Sequence, residues 1–119
     1  MADIKSYTDL IIYQEGYKLV LDMYKITRNY PGEEKYEIVS QIRRAAYSIP
    51  LNIAEGWGRK SKLEFKRFLK MSLGSCNELQ VLNELSKDLG YINHKEYINV
   101  KGRIEKLGKQ IYTMEERWK

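Results

Sequence analysis

One apolar series near the C-terminal end constrains this chain more than any other feature. Tyr97, Val100, Ile104, Leu107, Ile111, Met114 and Trp118 recur at alternating steps of three and four. A strand, whose side chains alternate with period two, would scatter them over both faces. A helix of about 3.6 residues per turn gathers them into one seam. Three further stripes repeat the alternation: Leu10, Tyr13, Tyr17, Val20 and Tyr24; Val39, Ile42, Ala46, Ile49 and Ile53; and Phe65, Phe68, Ser72, Ser75, Leu79, Leu82, Ser86 and Leu89. One seam per helix is what left-handed bundle packing requires, so the stripes predict four helices.

The punctuation agrees. Tyr30-Pro31-Gly32 breaks the chain after the first stripe, and Glu33 and Glu34 then stand where a helix N-terminus favours negative charge. Gly56-Trp57-Gly58 ends the second helix, and Ser61 with Glu64 reads as a capping box for the third. Gly90 stops that helix, and Asn93 with Glu96 repeats the capping pattern before the fourth. Short connections make consecutive helices antiparallel. The expected fold is therefore all-α, an antiparallel up-down-up-down four-helix bundle forming one domain over residues 1–119, with 1–8 as a loosely ordered arm. A chain of 119 residues buries enough surface to fold without disulfides.

Two residues strain the plan. Pro50 removes a backbone bond and crowds the carbonyl of Ala46, so a kink is expected in the second helix, costing about 3 kcal/mol unless its surroundings compensate. Gly74 costs roughly 1 kcal/mol relative to alanine. With Ser72 and Ser75 it forms either a narrow spot in the core or a small-residue surface that another helix can approach.

Reaction chemistry finds little support. One histidine, His94, and one cysteine, Cys76, cannot supply a typical zinc set, and no Glu-x-x-His pair exists for a di-iron bundle. Cys76 reads as a buried structural thiol and His94 as a solvated residue near a helix start. The Gly102 to Gly108-Lys109 run has one residue too many for a phosphate loop, and Gln110 replaces the Ser or Thr that would hold magnesium. Glu33-Glu34-Lys35-Tyr36-Glu37 resembles half the magnesium site of all-helical nucleoside triphosphate pyrophosphohydrolases. The partner carboxylates, Glu84 and Asp88, are spaced one residue too widely. That enzyme remains a remote alternative. No catalytic residue, metal or cofactor is expected. The start of the chain lacks a secretory signal, no apolar run reaches bilayer length and the lone cysteine suits a reducing compartment, so a cytoplasmic protein without a membrane role is expected.

Binding is the better prospect. Net charge is +5 and the sequence pI about 9.2, which favours an acidic partner without proving one. Opposite the second apolar seam runs a polar ridge of Gln41, Arg44, Ser48, Asn52 and Glu55, more like an interface than an ordinary solvated face. Just beyond, Arg59, Lys60, Lys62, Lys66, Arg67 and Lys70 crowd a turn and a helix start, an arrangement that suits an anion. Trp57 and Tyr47 offer stacking surfaces. Each element also has a plainer use: solubilising lysines, a tight turn, an aromatic plug.

The run from Gln41 through Arg43-Arg44-Ala45-Ala46-Tyr47-Ser48-Ile49-Pro50-Leu51-Asn52-Ile53-Ala54-Glu55-Gly56-Trp57-Gly58-Arg59 resembles the signature of a bacterial four-helix-bundle family. Its members were first noted in intervening sequences of large-subunit ribosomal RNA genes. Further matches at Tyr13-Gln14, Tyr30-Pro31, Glu64-Phe65, Gly74-Ser75 and Leu89-Gly90-Tyr91 extend the likeness over nearly the whole chain. The resemblance implies an up-down bundle assembling into a five-fold ring. It also implies kinship with the accessory variability determinant of diversity-generating retroelements, which binds nucleic acid and a reverse transcriptase.

The leading expectation is a non-enzymatic homo-oligomer, pentameric by resemblance, that binds RNA or DNA through phosphates and serves as an accessory factor. Arg43, Arg44, Arg59, Lys62, Lys66, Arg67 and Lys70 are the expected phosphate contacts. Gln41, Ser48, Asn52, Glu55, Ser72, Gly74 and Ser75 are the expected assembly surface. The alternative is a protein-interaction scaffold with no nucleic-acid role.

Overall fold

Four α-helices account for most of residues 3–117, the part that the computed structural model describes: α1 (Ile11–Thr27), α2 (Ile38–Gly58), α3 (Lys62–Asp88) and α4 (His94–Arg117). Short 3-10 turns occupy Tyr7–Asp9 and Gly32–Glu34, and the described residues contain no strand. Each helix packs on its neighbours in sequence, α4 returns to α1, and the backbones of the diagonal pairs stay more than 8 Å apart. This is the arrangement of an up-down-up-down bundle. At about 1.5 Å per residue the 27 residues of α3 span roughly 40 Å, nearly the whole 43 Å length of the molecule. The α1–α4 side is the least closely packed of the four.

The expected seams of α2 and α4 are interior. Val39, Ile42, Ala46, Ile49 and Ile53 are buried, as are Tyr97, Val100, Ile104, Leu107 and Ile111, while Met114 is half-buried and Trp118 lies outside the described residues. Complete burial of an Ile or Leu contributes about 1.5–3 kcal/mol, so these two lines supply much of the driving force. In α3, Phe65, Phe68, Ser72, Leu79 and Ser86 are buried, but Leu89 caps the helix and is half exposed. Two of the serines fit the core because they satisfy themselves. Ser72 Oγ donates to the Ile49 carbonyl at 2.9 Å, and Ser86 Oγ to the Leu82 carbonyl at 2.8 Å. Asn83, also buried, donates to the Tyr97 carbonyl at 3.1 Å and so ties α3 to α4.

The stripe expected in α1 is rotated. Its buried line is Ile12, Gly16, Leu19, Met23 and Thr27; Tyr13, Val20 and Tyr24 flank the core, and Tyr17 faces water. Gly16 belongs to the interior because α2 lies against it: a Cβ there would stand 3.4 Å from Ile49 Cγ2 and 3.5 Å from Pro50 Cδ. Thr27 is tolerated because its hydroxyl donates to the Met23 carbonyl at 2.7 Å. Pro50 is itself buried, and α2 continues as helix on both sides of it.

The helix ends are written in side chains. Ser61 Oγ accepts from the Glu64 N–H at 3.3 Å at the start of α3. Before α4 the capping box is reciprocal: Asn93 Oδ1 accepts from Glu96 N–H at 2.8 Å, and Glu96 Oε1 from Asn93 N–H at 3.0 Å. Gly90, at φ +80°, closes α3 while the Tyr91 N–H donates to the Ser86 carbonyl and Gly90 N–H to that of Lys87. Glu33 and Glu34 do not cap α2, which starts four residues later; they lie in the 3-10 turn, where Glu34 Oε1 accepts from the Tyr91 hydroxyl at 2.9 Å. Residues 3–8 lie against the bundle, with Ile4 packed on the core and the Tyr7 ring edge-on to Tyr13 at 4.8 Å.

Candidate nucleic-acid interface

The turn between α2 and α3 is only Arg59-Lys60-Ser61, and it can be this short because Gly56 lets the two helices close. A Cβ on Gly56 would lie 2.5 Å from Phe68 Cβ. Just after α2, Lys60 adopts φ +53°, the left-handed conformation usually given to glycine at the end of a helix. The geometry therefore sets a lysine at the tip of the turn, at a backbone cost that glycine would avoid.

Beside that turn is a cleft of about 360 Å³ lined by Lys5, Gly56, Trp57, Lys60, Ser61, Lys62 and Phe65. Trp57 and Phe65 meet edge-to-face at 5.6 Å. Lys5 arrives from the N-terminal segment, held there because its backbone N–H donates to Asp9 Oδ2 at 3.0 Å. No sequence pattern pointed to Lys5, which lies more than fifty residues from the rest. The start of α3 adds the positive end of a long helix to this cluster.

The expected phosphate contacts divide into two groups. Lys62 and Lys66 have no ion pair among the described residues, and neither do Lys5 and Lys60. The others are engaged. Arg59 pairs with Glu55 at 3.2 Å and lies 5.2 Å from the Phe68 ring centre. Arg67 makes two 3.0 Å bonds to Glu64 and lies 4.8 Å from that ring centre. These bonds from Arg67 also hold the Glu64 carboxyl below its usual range. Lys70 stands 4.0 Å from Glu115, a largely buried acid of α4.

Arg43 departs from expectation. Its Nε donates to Thr27 Oγ1 at 3.0 Å and one terminal nitrogen to the Tyr24 carbonyl at 3.4 Å, with the guanidinium 4.4 Å from the Tyr24 ring centre. It is spent on the C-terminal end of α1, where a cation meets the helix dipole. Arg44 is exposed on the outer face of α2, fifteen residues and roughly 22 Å of helix from Arg59.

The expected assembly residues also separate. Ser72 is buried and bonded to α2, so it cannot face a partner. Ser75 is half-buried, with its hydroxyl turned back to the Met71 carbonyl at 3.3 Å, whereas Gly74 opens onto free space. On α2, Gln41 and Glu55 are exposed and Ser48 and Asn52 half-buried, Ser48 Oγ donating to the Arg44 carbonyl and Asn52 Nδ2 to that of Ser48. Tyr47 and Leu51, exposed on the same helix, were missing from the expected surface.

Among the described residues no three His, Cys, Asp or Glu side chains converge as metal ligands, and no helix is long and apolar enough to cross a membrane. The Glu-Glu-x-x-Glu string falls in the turn before α2 and not along a helix. Cys76 is buried, which pushes its thiol up to about 12.

The fold and this basic end define a small four-helix-bundle protein with one concentrated cationic turn. Residues 8–113 match the family described as 23S rRNA-intervening sequence protein, and the chain belongs to that family. Among solved structures it is similar to a protein of unknown function from the S23 ribosomal protein family of Bacteroides thetaiotaomicron, with a TM-score of 0.83 and 20% identity. That likeness covers 89% of this chain and 96% of the other, and establishes the shared fold. A search of curated proteins finds no match.

Proposed function

We propose that the protein is a non-enzymatic, homo-oligomeric nucleic-acid-binding factor that grips RNA or DNA through its phosphate backbone. The observation that carries this reading is the α2–α3 cleft, where Lys60 and Lys62 make no ion pair among the described residues and Lys5 joins them. Lys66 extends the cluster along α3, while Arg59, Arg67 and Lys70 reach a phosphate only by exchanging a carboxylate for it. Sequence reading is not part of the role, since none of the described helices is set up to enter a groove. A family tied to ribosomal RNA genes fits a cytoplasmic RNA partner.

Assembly is the second half of the proposal. Tyr47 and Leu51 stand exposed beside Gln41, Ser48 and Asn52 on α2, an aromatic and aliphatic patch with hydrogen-bonding neighbours. The five-fold ring implied by the family resemblance would place such faces between protomers. The same face favours the scaffold reading if nucleic acid is not bound.

The test is binding to a mixed RNA and DNA panel at several salt concentrations, with the mass of the assembly measured alongside. Four phosphate contacts, from Lys5, Lys60, Lys62 and Lys66, predict roughly a hundred-fold loss of affinity between about 50 and 200 mM salt. Replacing Lys60, Lys62 and Lys66 with glutamine should abolish binding and leave the assembly's mass unchanged. Absence of binding at low salt, or binding indifferent to salt, defeats the nucleic-acid role. A monomeric mass defeats the oligomer.

A further inference from the structure

Among the cations of the α2–α3 cleft, Lys5 is the one that no helix holds. Lys62 stands on α3 and Lys60 on the three-residue turn before it. Lys5 comes from the N-terminal segment, whose 3-10 turn at Tyr7–Asp9 buries none of its own residues. Two apolar side chains fasten that segment: Ile4 packs on the core, and Leu10 is buried.

Between these anchors the backbone is fixed by one carboxylate. Asp9 Oδ2 accepts from the N–H groups of both Lys5 and Ser6, at 3.0 and 3.1 Å. Ser6 Oγ in turn accepts from the Thr8 N–H at 3.3 Å, and Gln14 Nε2 donates to the Thr8 carbonyl at 2.8 Å. A reciprocal box of this kind ordinarily opens a helix. Here it opens only three residues of 3-10 turn, with Lys5 just outside them. Neither Asp9 nor Lys5 has an ion pair among the described residues. The carboxylate is spent on backbone, and the ammonium is uncommitted.

We propose that Asp9 is a positioning residue for nucleic-acid binding: by fixing the backbone at Lys5 it sets that ammonium in the cleft with Lys60 and Lys62. The inference rests on the phosphate-binding reading above and deepens it. An acid here strengthens the grip on a polyanion. Charge alone gives the opposite sign, because removing a negative group near a phosphate site raises affinity.

One oxygen makes the two accounts separable. Because Oδ2 alone takes both N–H groups, an asparagine keeps the acceptor and loses the charge, whereas an alanine loses both. Positioning predicts that Asp9→Ala weakens binding and Asp9→Asn does not. Charge alone predicts that both strengthen it.

The experiment measures the full chain against a labelled uridine oligomer and a labelled DNA duplex by fluorescence anisotropy, from about 50 to 200 mM salt. Lys5→Gln should flatten the slope of log affinity against log salt by about 0.7–0.9, one phosphate contact, and cost roughly tenfold at the low end. Asp9→Ala should flatten the slope likewise, and Asp9→Asn should leave it unchanged. Added to Lys5→Gln, Asp9→Ala should bring no further loss, since it acts through that lysine. Both side chains are exposed, so the bundle is retained, as circular dichroism would verify. Three results overturn the proposal and leave the nucleic-acid role standing: stronger binding by Asp9→Ala, a further Asp9→Ala loss in the Lys5→Gln background, or a wild-type slope for Lys5→Gln. Failure of the wild-type chain to bind either probe at about 50 mM salt defeats that role and this inference together.

Discussion

Gly56 and Phe68 are pressed so closely that a methyl group on the glycine would stand 2.5 Å from the phenylalanine Cβ. Gly56→Ala must therefore push α3 away from α2, and a loss of about 1–3 kcal/mol is expected in denaturant unfolding. Gly74, also inside a helix, has no atom within 4 Å of the place a methyl group would take, so Gly74→Ala should gain roughly 0.5–1 kcal/mol. Equal effects at the two glycines would contradict the packing described for the turn.

Arg43→Ala removes two hydrogen bonds and a ring contact from the end of α1. A loss of about 1–3 kcal/mol in stability is expected. Arg43→Lys should recover only part of it, because an ammonium cannot reproduce the planar fork. Nucleic-acid affinity, corrected for folded fraction, should not change. A large drop in affinity with stability intact would return Arg43 to the phosphate contacts.

Burial pushes the Cys76 thiol up to about 12 from its ordinary 9. Thiolate is thus scarce at pH 8, and a thiol reagent should modify the native protein at least about a hundred-fold more slowly than the unfolded chain. Because the native thiol still holds its proton above pH 9, the native rate should keep climbing there while the unfolded chain levels off. Rapid labelling under native conditions would mean that α3 opens readily.

The Glu64 carboxyl is held low mainly by its hydrogen bonds from Arg67, so the pair stays closed through neutral pH and opens only below the usual carboxylate range. The pair's contribution to stability is accordingly present above that range and lost as pH falls through the lowered value. Glu64→Gln releases the guanidinium at any pH. RNA affinity should then rise, and the slope of log affinity against log salt should steepen by about 0.7–0.9, one added phosphate contact. An unchanged slope would show that Arg67 cannot reach the backbone.

How much of this was legible depended on which residues make each contact. α2 and α4 build their interiors almost wholly from Ile, Val, Leu and Ala, so periodicity located them directly. α1 misled because it is rich in tyrosine, which counts as apolar but can leave one edge in water, while two of its buried positions are Gly16 and Thr27. The bonds of Arg43 to Tyr24 and Thr27 were not legible, because those partners lie across a turn that no local pattern reports. Ser72 could be read as core or as surface from its spacing, and only its hydroxyl on the Ile49 carbonyl decides for the core. The basic turn was visible from its composition, but Lys5 was not, since only the fold brings the N-terminal segment beside it.

The Phe68 ring meets Gly56 below and has the guanidiniums of Arg59 and Arg67 beside it. One interior side chain thus lies both at the seam where two rods seat and beneath two charges that Glu55 and Glu64 hold in place. Sequence drift at that position would be felt on the outside as well, through the ring contact that both guanidiniums share.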